Sequence, residues 1–141
     1  MAGNELLAQA TMIPDYQQVS FVALGWDEVP ELGDEYPVEF IADESSVNVF
    51  TFADDQDQHG DRTVDIYVYR GTDTTGLGRL IFDTPLNFPE PELTFGSILA
   101  TAEYHHHVPL RRTGSIPIRV LTREAQPGNG TDVINVLIDD S

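Results

Sequence analysis

The sequence predicts an all-β protein, an antiparallel β-sandwich of about eight or nine short strands. Three observations carry this. Apolar residues alternate with polar ones over short runs from Tyr16 onward. Gly, Pro, Asn and Asp separate the runs. No apolar stripe at helical spacing extends over ten residues or so. A closed barrel satisfies the same pattern.

The elements follow in chain order. Residues 1–14 have no basic segment, and their apolar stretch is short and broken. They read as a flexible leader rather than a signal peptide, which predicts a cytoplasmic protein whose β domain spans residues 15–141. Tyr16 to Leu24 alternates, with Val19, Phe21 and Ala23 on one face. An acidic loop, Gly25 to Glu35, precedes Tyr36 to Ala42 and Val47 to Ala53. In Thr63 to Arg70 the residues Val64, Ile66 and Val68 point one way and Asp65, Tyr67 and Tyr69 the other. Gly71 to Gly78 reads as a hairpin loop leading to a strand over Arg79 to Asp83. Pro85, Pro89 and Pro91 are expected to break the chain there. Leu93 to Leu99, Glu103 to Leu110, Ile116 to Leu121 and Val133 to Ile138 complete the strands. Gln126 to Gly130 carries the Asn-Gly signature of a hairpin between the last two.

Composition narrows function. The 141 residues carry 24 acidic side chains against seven basic ones, a net charge of −17, and every basic residue is Arg. That balance argues against direct nucleic-acid binding and against anionic membrane surfaces. No apolar run approaches the ~18 residues a membrane helix needs. The absence of Cys excludes disulfides, thiolate metal sites and a cysteine nucleophile. The charge is uneven. Residues 1–100 hold three Arg and 19 acids, a net −16, while residues 101–141 hold four Arg and five acids, a net −1. An excess of acids keeps a β protein soluble, and it also forms a face for a basic partner.

The motifs argue against an enzyme. There is no phosphate-binding Gly-rich loop and no Gly-x-Ser-x-Gly elbow, and no Ser sits in a nucleophile setting. Asp55 to Asp61 opens like a calcium loop, with Asp55, Asp57 and Gly60 in place. His59 and Ile66 then stand where oxygen ligands belong. On a strand, His105 and His107 share a face with Glu103, an arrangement able to hold a transition metal. No later His completes a cupin pattern, so these three are candidates only and no cofactor is called for. Arg111, Arg112, Arg119 and Arg123 form a basic cluster, expected to pair with the surplus acids.

The order of segments carries a resemblance. Asp15-Tyr16-Gln17-Gln18-Val19-Ser20-Phe21 opens the chain, and Leu80 to Phe88 enters a Pro-marked apolar segment. Leu93-Thr94-Phe95-Gly96-Ser97-Ile98, Ser115 to Thr122 and the closing Ile134 to Asp139 follow. From Asp15 to Asp139 this resembles the bacterial competence protein J family, small acidic β-sandwich proteins. Its name-giving member inhibits a nuclease of DNA uptake by binding it. The resemblance implies a sandwich without catalytic residues and a nuclease as partner. The His triplet and Arg111-Arg112 depart from the family pattern.

The expected function is that of a non-enzymatic acidic binding protein, an inhibitor or immunity-like partner of a basic protein such as a nuclease. The expected contact residues are Asp27, Glu28, Glu31, Asp34, Glu35, Asp54, Asp55, Asp57 and Asp61, with Trp26 and Tyr36 as aromatic anchors. A self-associating assembly module, such as a phage or capsid component, and a metal- or calcium-stabilised module are the alternatives.

Overall fold

Strands form where the alternation runs unbroken, and their inward faces define two packed sheets. The computed structural model describes residues 3–14, 17–26, 28, 30, 39–51, 62–100, 102–124 and 131–141. Among these lie ten strands: β1 (Glu5–Met12), β2 (Gln18–Ala23), β3 (Phe40–Ala42), β4 (Ser46–Phe50), β5 (Val64–Arg70), β6 (Arg79–Phe88), β7 (Glu92–Ser97), β8 (His106–Pro109), β9 (Gly114–Arg123) and β10 (Val133–Ile138). The first sheet has the order β1-β5-β10-β9-β6 and the second β3-β4-β2-β7-β8. Each sheet keeps two edges, so the architecture is a sandwich and not a closed barrel. No helix among the described residues is long and apolar enough to cross a membrane.

The core is the set of inward positions the alternation marks. Val64, Ile66 and Val68 of β5, Ile116, Ile118 and Val120 of β9, and Ile134, Val136 and Ile138 of β10 come from the first sheet. They face Val19 and Phe21 of β2, Val47 and Val49 of β4, and Leu93 and Phe95 of β7. All are almost fully buried. Phe21 and Phe95 stack at 5.6 Å between ring centres, and Phe40 meets Phe82 edge-on at 5.1 Å across the two sheets.

Several expectations are corrected. Residues 5–12 are not a leader: β1 pairs antiparallel with β5, and Leu7, Ala8, Ala10 and Met12 pack on the core. One pair, β5 with β10, is parallel. Gly71 to Gly78 is not a hairpin loop, because β5 and β6 are separated by β10 and β9. It runs back across the outer face of the first sheet, where Asn135 Nδ2 donates to the Leu77 carbonyl at 2.7 Å. Outward-facing Leu121 and Leu137 on that face are buried. Pro85 does not end its strand either. It pairs with Pro117, and a pair position between two prolines needs no N–H from either.

β9 and β10 pair antiparallel, as a hairpin requires, and the turn joining them lies outside the described residues. The segment expected as a strand from Glu103 begins instead as a 3-10 turn, Ala102–Tyr104, and β8 starts only at His106.

Candidate functional site

The outer face of the second sheet is built from small side chains. On β2, β4 and β7 the outward positions are Ser20 and Val22, Ser46 and Asn48, and Thr94 and Gly96. Register aligns them: Ser20 lies opposite Asn48 on one side and Gly96 on the other. Small residues in adjacent rows leave a depression. The segments leaving β2 and β7 wall it in, and the result is a cleft of about 420 Å³. Trp26, Glu28 and Pro30 line it from the β2 side, and Ile98, Ala100 and His105 from the β7 side. Its size falls in the range of ligand- or side-chain-binding recesses.

The walls are held by hydrogen bonds. Trp26 is half-buried, packs against the core, and donates from Nε1 to Asp43 Oδ2 at 3.1 Å. Asp43 Oδ1 accepts from the Ser45 N–H at 3.0 Å and from the Ser46 hydroxyl at 2.8 Å. One carboxylate therefore ties the β3–β4 turn to the aromatic wall. On the opposite side, His105 Nε2 donates to the Ser97 carbonyl at 2.8 Å, since a carbonyl only accepts. In the neutral ring Nδ1 is then the acceptor, and the Thr94 hydroxyl donates to it at 3.1 Å. The ring lies over β7 because position 96 has no side chain. A Cβ at Gly96 would stand 2.9 Å from His105 Cδ2.

Of the residues expected to bind a partner, Trp26 and Glu28 come together in this cleft. Asp27, Glu31, Asp34, Glu35, Tyr36, Asp54, Asp55, Asp57 and Asp61 lie outside the described residues. The metal candidates do not converge. Glu103 is exposed on the 3-10 turn, His105 is engaged as above, and His107 Nδ1 lies 2.9 Å from Glu92 Oε2. Among the described residues no three His, Cys, Asp or Glu side chains are placed to hold a metal. The alternation that put Glu103 on the histidine face fails because the chain turns before β8. His106 instead stacks on Phe95 at 5.0 Å.

Sequence reasoning missed Ser20, Asn48, Thr94 and His105 as cleft residues. The signal available was a set of short polar side chains at outward positions of three strands. Only strand order places those three side by side.

Charge divides between the sheets. Arg70, Arg79, Arg119 and Arg123 lie on β5, β6 and β9 of the first sheet, Arg62 precedes β5, Arg111 and Arg112 lie in the connection from β8 to β9, and no strand of the second sheet carries an Arg. Several are paired. Arg70 binds Asp140 through Nε at 2.7 Å and Nη2 at 3.0 Å, Arg62 binds Asp132 at 2.6 Å, and Arg119 lies 3.5 Å from Asp83. Among the described residues lining the cleft, Glu28 is the one Asp, Glu, Lys or Arg.

Fold and cleft define a class: an acidic two-sheet sandwich with a recessed, small-residue face free of cations on its strands. That fold is shared by ComJ from Bacillus subtilis, whose crystal structure is described as that of the inhibitor of the DNA degrading activity of NucA. The TM-score is 0.66, and the match covers 99% of this chain and 100% of that one at 13% sequence identity. The likeness is one of fold, and the sandwich that the competence protein J resemblance implies is present. No family model and no curated protein sequence matches the chain.

Proposed function

We propose that this protein is a non-enzymatic binding protein that inhibits a basic protein, a DNA-degrading nuclease, by docking the outer face of its second sheet against it. The observation that carries the reading is the segregation of charge. The cleft face has no Arg on its strands and Glu28 at its wall, while Arg70, Arg79, Arg119 and Arg123 sit on strands of the opposite sheet. A basic surface approaching the molecule is steered to the face with the fewest cations. The fold shared with a nuclease inhibitor supports the same reading. The acidic stretches around Asp27 to Glu35 and Asp54 to Asp61 supply the long-range attraction, and Trp26 the apolar contact.

The test pairs the protein with a purified, basic DNA-degrading nuclease from the same source. Equimolar protein is expected to stop DNA degradation. Replacing Asp54, Asp55, Asp57 and Asp61 with Asn is expected to slow association about tenfold at low salt and to flatten its salt dependence. Full nuclease activity at molar excess, or association rates unmoved by the four substitutions, refutes the reading.

A further inference from the structure

Two large apolar side chains beside the cleft stand in water. Among the described residues Leu99, at 66%, and Tyr104, at 77%, are the most exposed of the large hydrophobic side chains. Leu99 lies between the lining residues Ile98 and Ala100, and Tyr104 directly precedes the lining residue His105. One exposed leucine is ordinary on a protein surface, but a pair flanking a recess marks a contact site.

The backbone presents both in ordered turns. The Leu99 N–H donates to the Ser97 hydroxyl at 3.0 Å and the Ala100 N–H to the Ser97 carbonyl at 3.1 Å, which closes the turn that carries Leu99. The same carbonyl accepts from His105 Nε2, so the residue after Tyr104 is moored to Ser97 as well. Tyr104 itself ends the 3-10 turn Ala102–Tyr104. A backbone ordered before a partner arrives loses less conformational freedom on binding.

Carboxylates surround the pair. Glu103 adjoins Tyr104 and is exposed, and Glu28 stands at the cleft wall. Glu90 lies beside the lining residue Gly25, where a Cβ would stand 3.9 Å from its side chain. Two copies of this chain meeting here would bring like charges together, whereas a basic surface is matched by them. We infer that Leu99 and Tyr104 are the apolar anchors of the interface with the basic partner, inserting into an apolar depression bordered by Lys or Arg. The acidic residues set how fast the complex forms, and the two anchors set how long it lasts. This rests on the proposed function in that the partner is a basic nuclease.

The test measures association and dissociation rates of the full chain with the purified basic nuclease. Leu99→Ser and Tyr104→Ser are each expected to raise the dissociation rate about tenfold, with the association rate and its salt dependence unchanged. Both side chains are exposed, so the melting temperature should not move. Tyr104→Phe should bind as the unsubstituted protein does. Leu80→Ser, on β6 of the first sheet, removes another exposed leucine and should leave dissociation unchanged. A double variant Leu99→Ser, Tyr104→Ser that inhibits and dissociates as before overturns the anchors and leaves the inhibitor reading standing. So does an equal rise in Leu80→Ser. A dimer in light scattering that the double variant converts to monomer assigns the pair to contacts between copies and overturns the inference. An unsubstituted protein that does not bind the nuclease refutes the inhibitor reading and the anchors with it.

Discussion

Asp140 shows how much a single side chain holds. Its side chain is fully buried. Arg70 binds both of its oxygens, and the Arg111 N–H donates to Oδ2 at 2.8 Å. Burial pushes the Asp140 carboxyl up, but the Arg70 and Arg111 bonds outweigh it and hold it below the ordinary carboxylate range. The folded pKa is thus lower than the unfolded one. The pair's stabilisation is complete above the unfolded value and is lost as the pH falls through the folded one. Asp140→Asn is expected to lower stability at pH 7 by about 3 kcal/mol in urea unfolding, because Arg70 loses its buried counter-charge and keeps only the exposed Glu5 at 3.6 Å. The gap to the unsubstituted protein should narrow as the pH is taken below about 4. A gap independent of pH would mean that packing, not charge, is what Asp140 supplies. Nothing in the local sequence Ile138-Asp139-Asp140-Ser141 distinguishes the buried Asp140 from its neighbour. Its partner is 70 positions away. Asn48 was equally silent, since an Asn between Val47 and Val49 marks an outward position and says nothing of what covers it.

Elements with a clean alternation were legible, and those defined by their neighbours were not. β5, β9 and β10 stand where the alternation of Val and Ile places them, because a buried face at period two admits one orientation. β1 was missed because Glu5 to Met12 has weak alternation and little burial on its own. Its stability comes from the β5 edge it caps. Deleting residues 1–13 is therefore expected to leave β5 as an open edge and to make the protein self-associate, seen as a concentration-dependent mass in light scattering. A strict monomer with an unchanged melting temperature would show that β1 does not protect that edge. The 71–78 connection was read as a hairpin because Gly-rich turns between strands usually are. Gly78, at φ +112°, has a second reason to be glycine, since a Cβ there would collide with the Thr122 backbone. That contact exists because Gly78 leads directly into Arg79, which pairs with Thr122 of β9.

At the scale of the molecule, charge is the dominant fact. A net charge of −17 on 141 residues makes the folded chain repel itself. Raising NaCl from about 10 mM to about 150 mM shortens the Debye length from about 30 Å to about 8 Å. The melting temperature is expected to rise by a few degrees over that interval. A fall would mean that attractive pairs such as Arg62–Asp132 outweigh the repulsion. The same salt series should weaken partner association, so stability and binding are expected to move in opposite directions with ionic strength.

The sequence by itself determined the class of fold, the inward residues of most strands and the acidic character, because period-two burial and net charge are properties of the chain read in order. Only the tertiary structure decided strand order, the parallel β5–β10 pair, the buried Arg70–Asp140 pair and the cleft. Each of these joins segments far apart along the chain, and side-chain alternation specifies which way a residue faces but not which strand lies beside it.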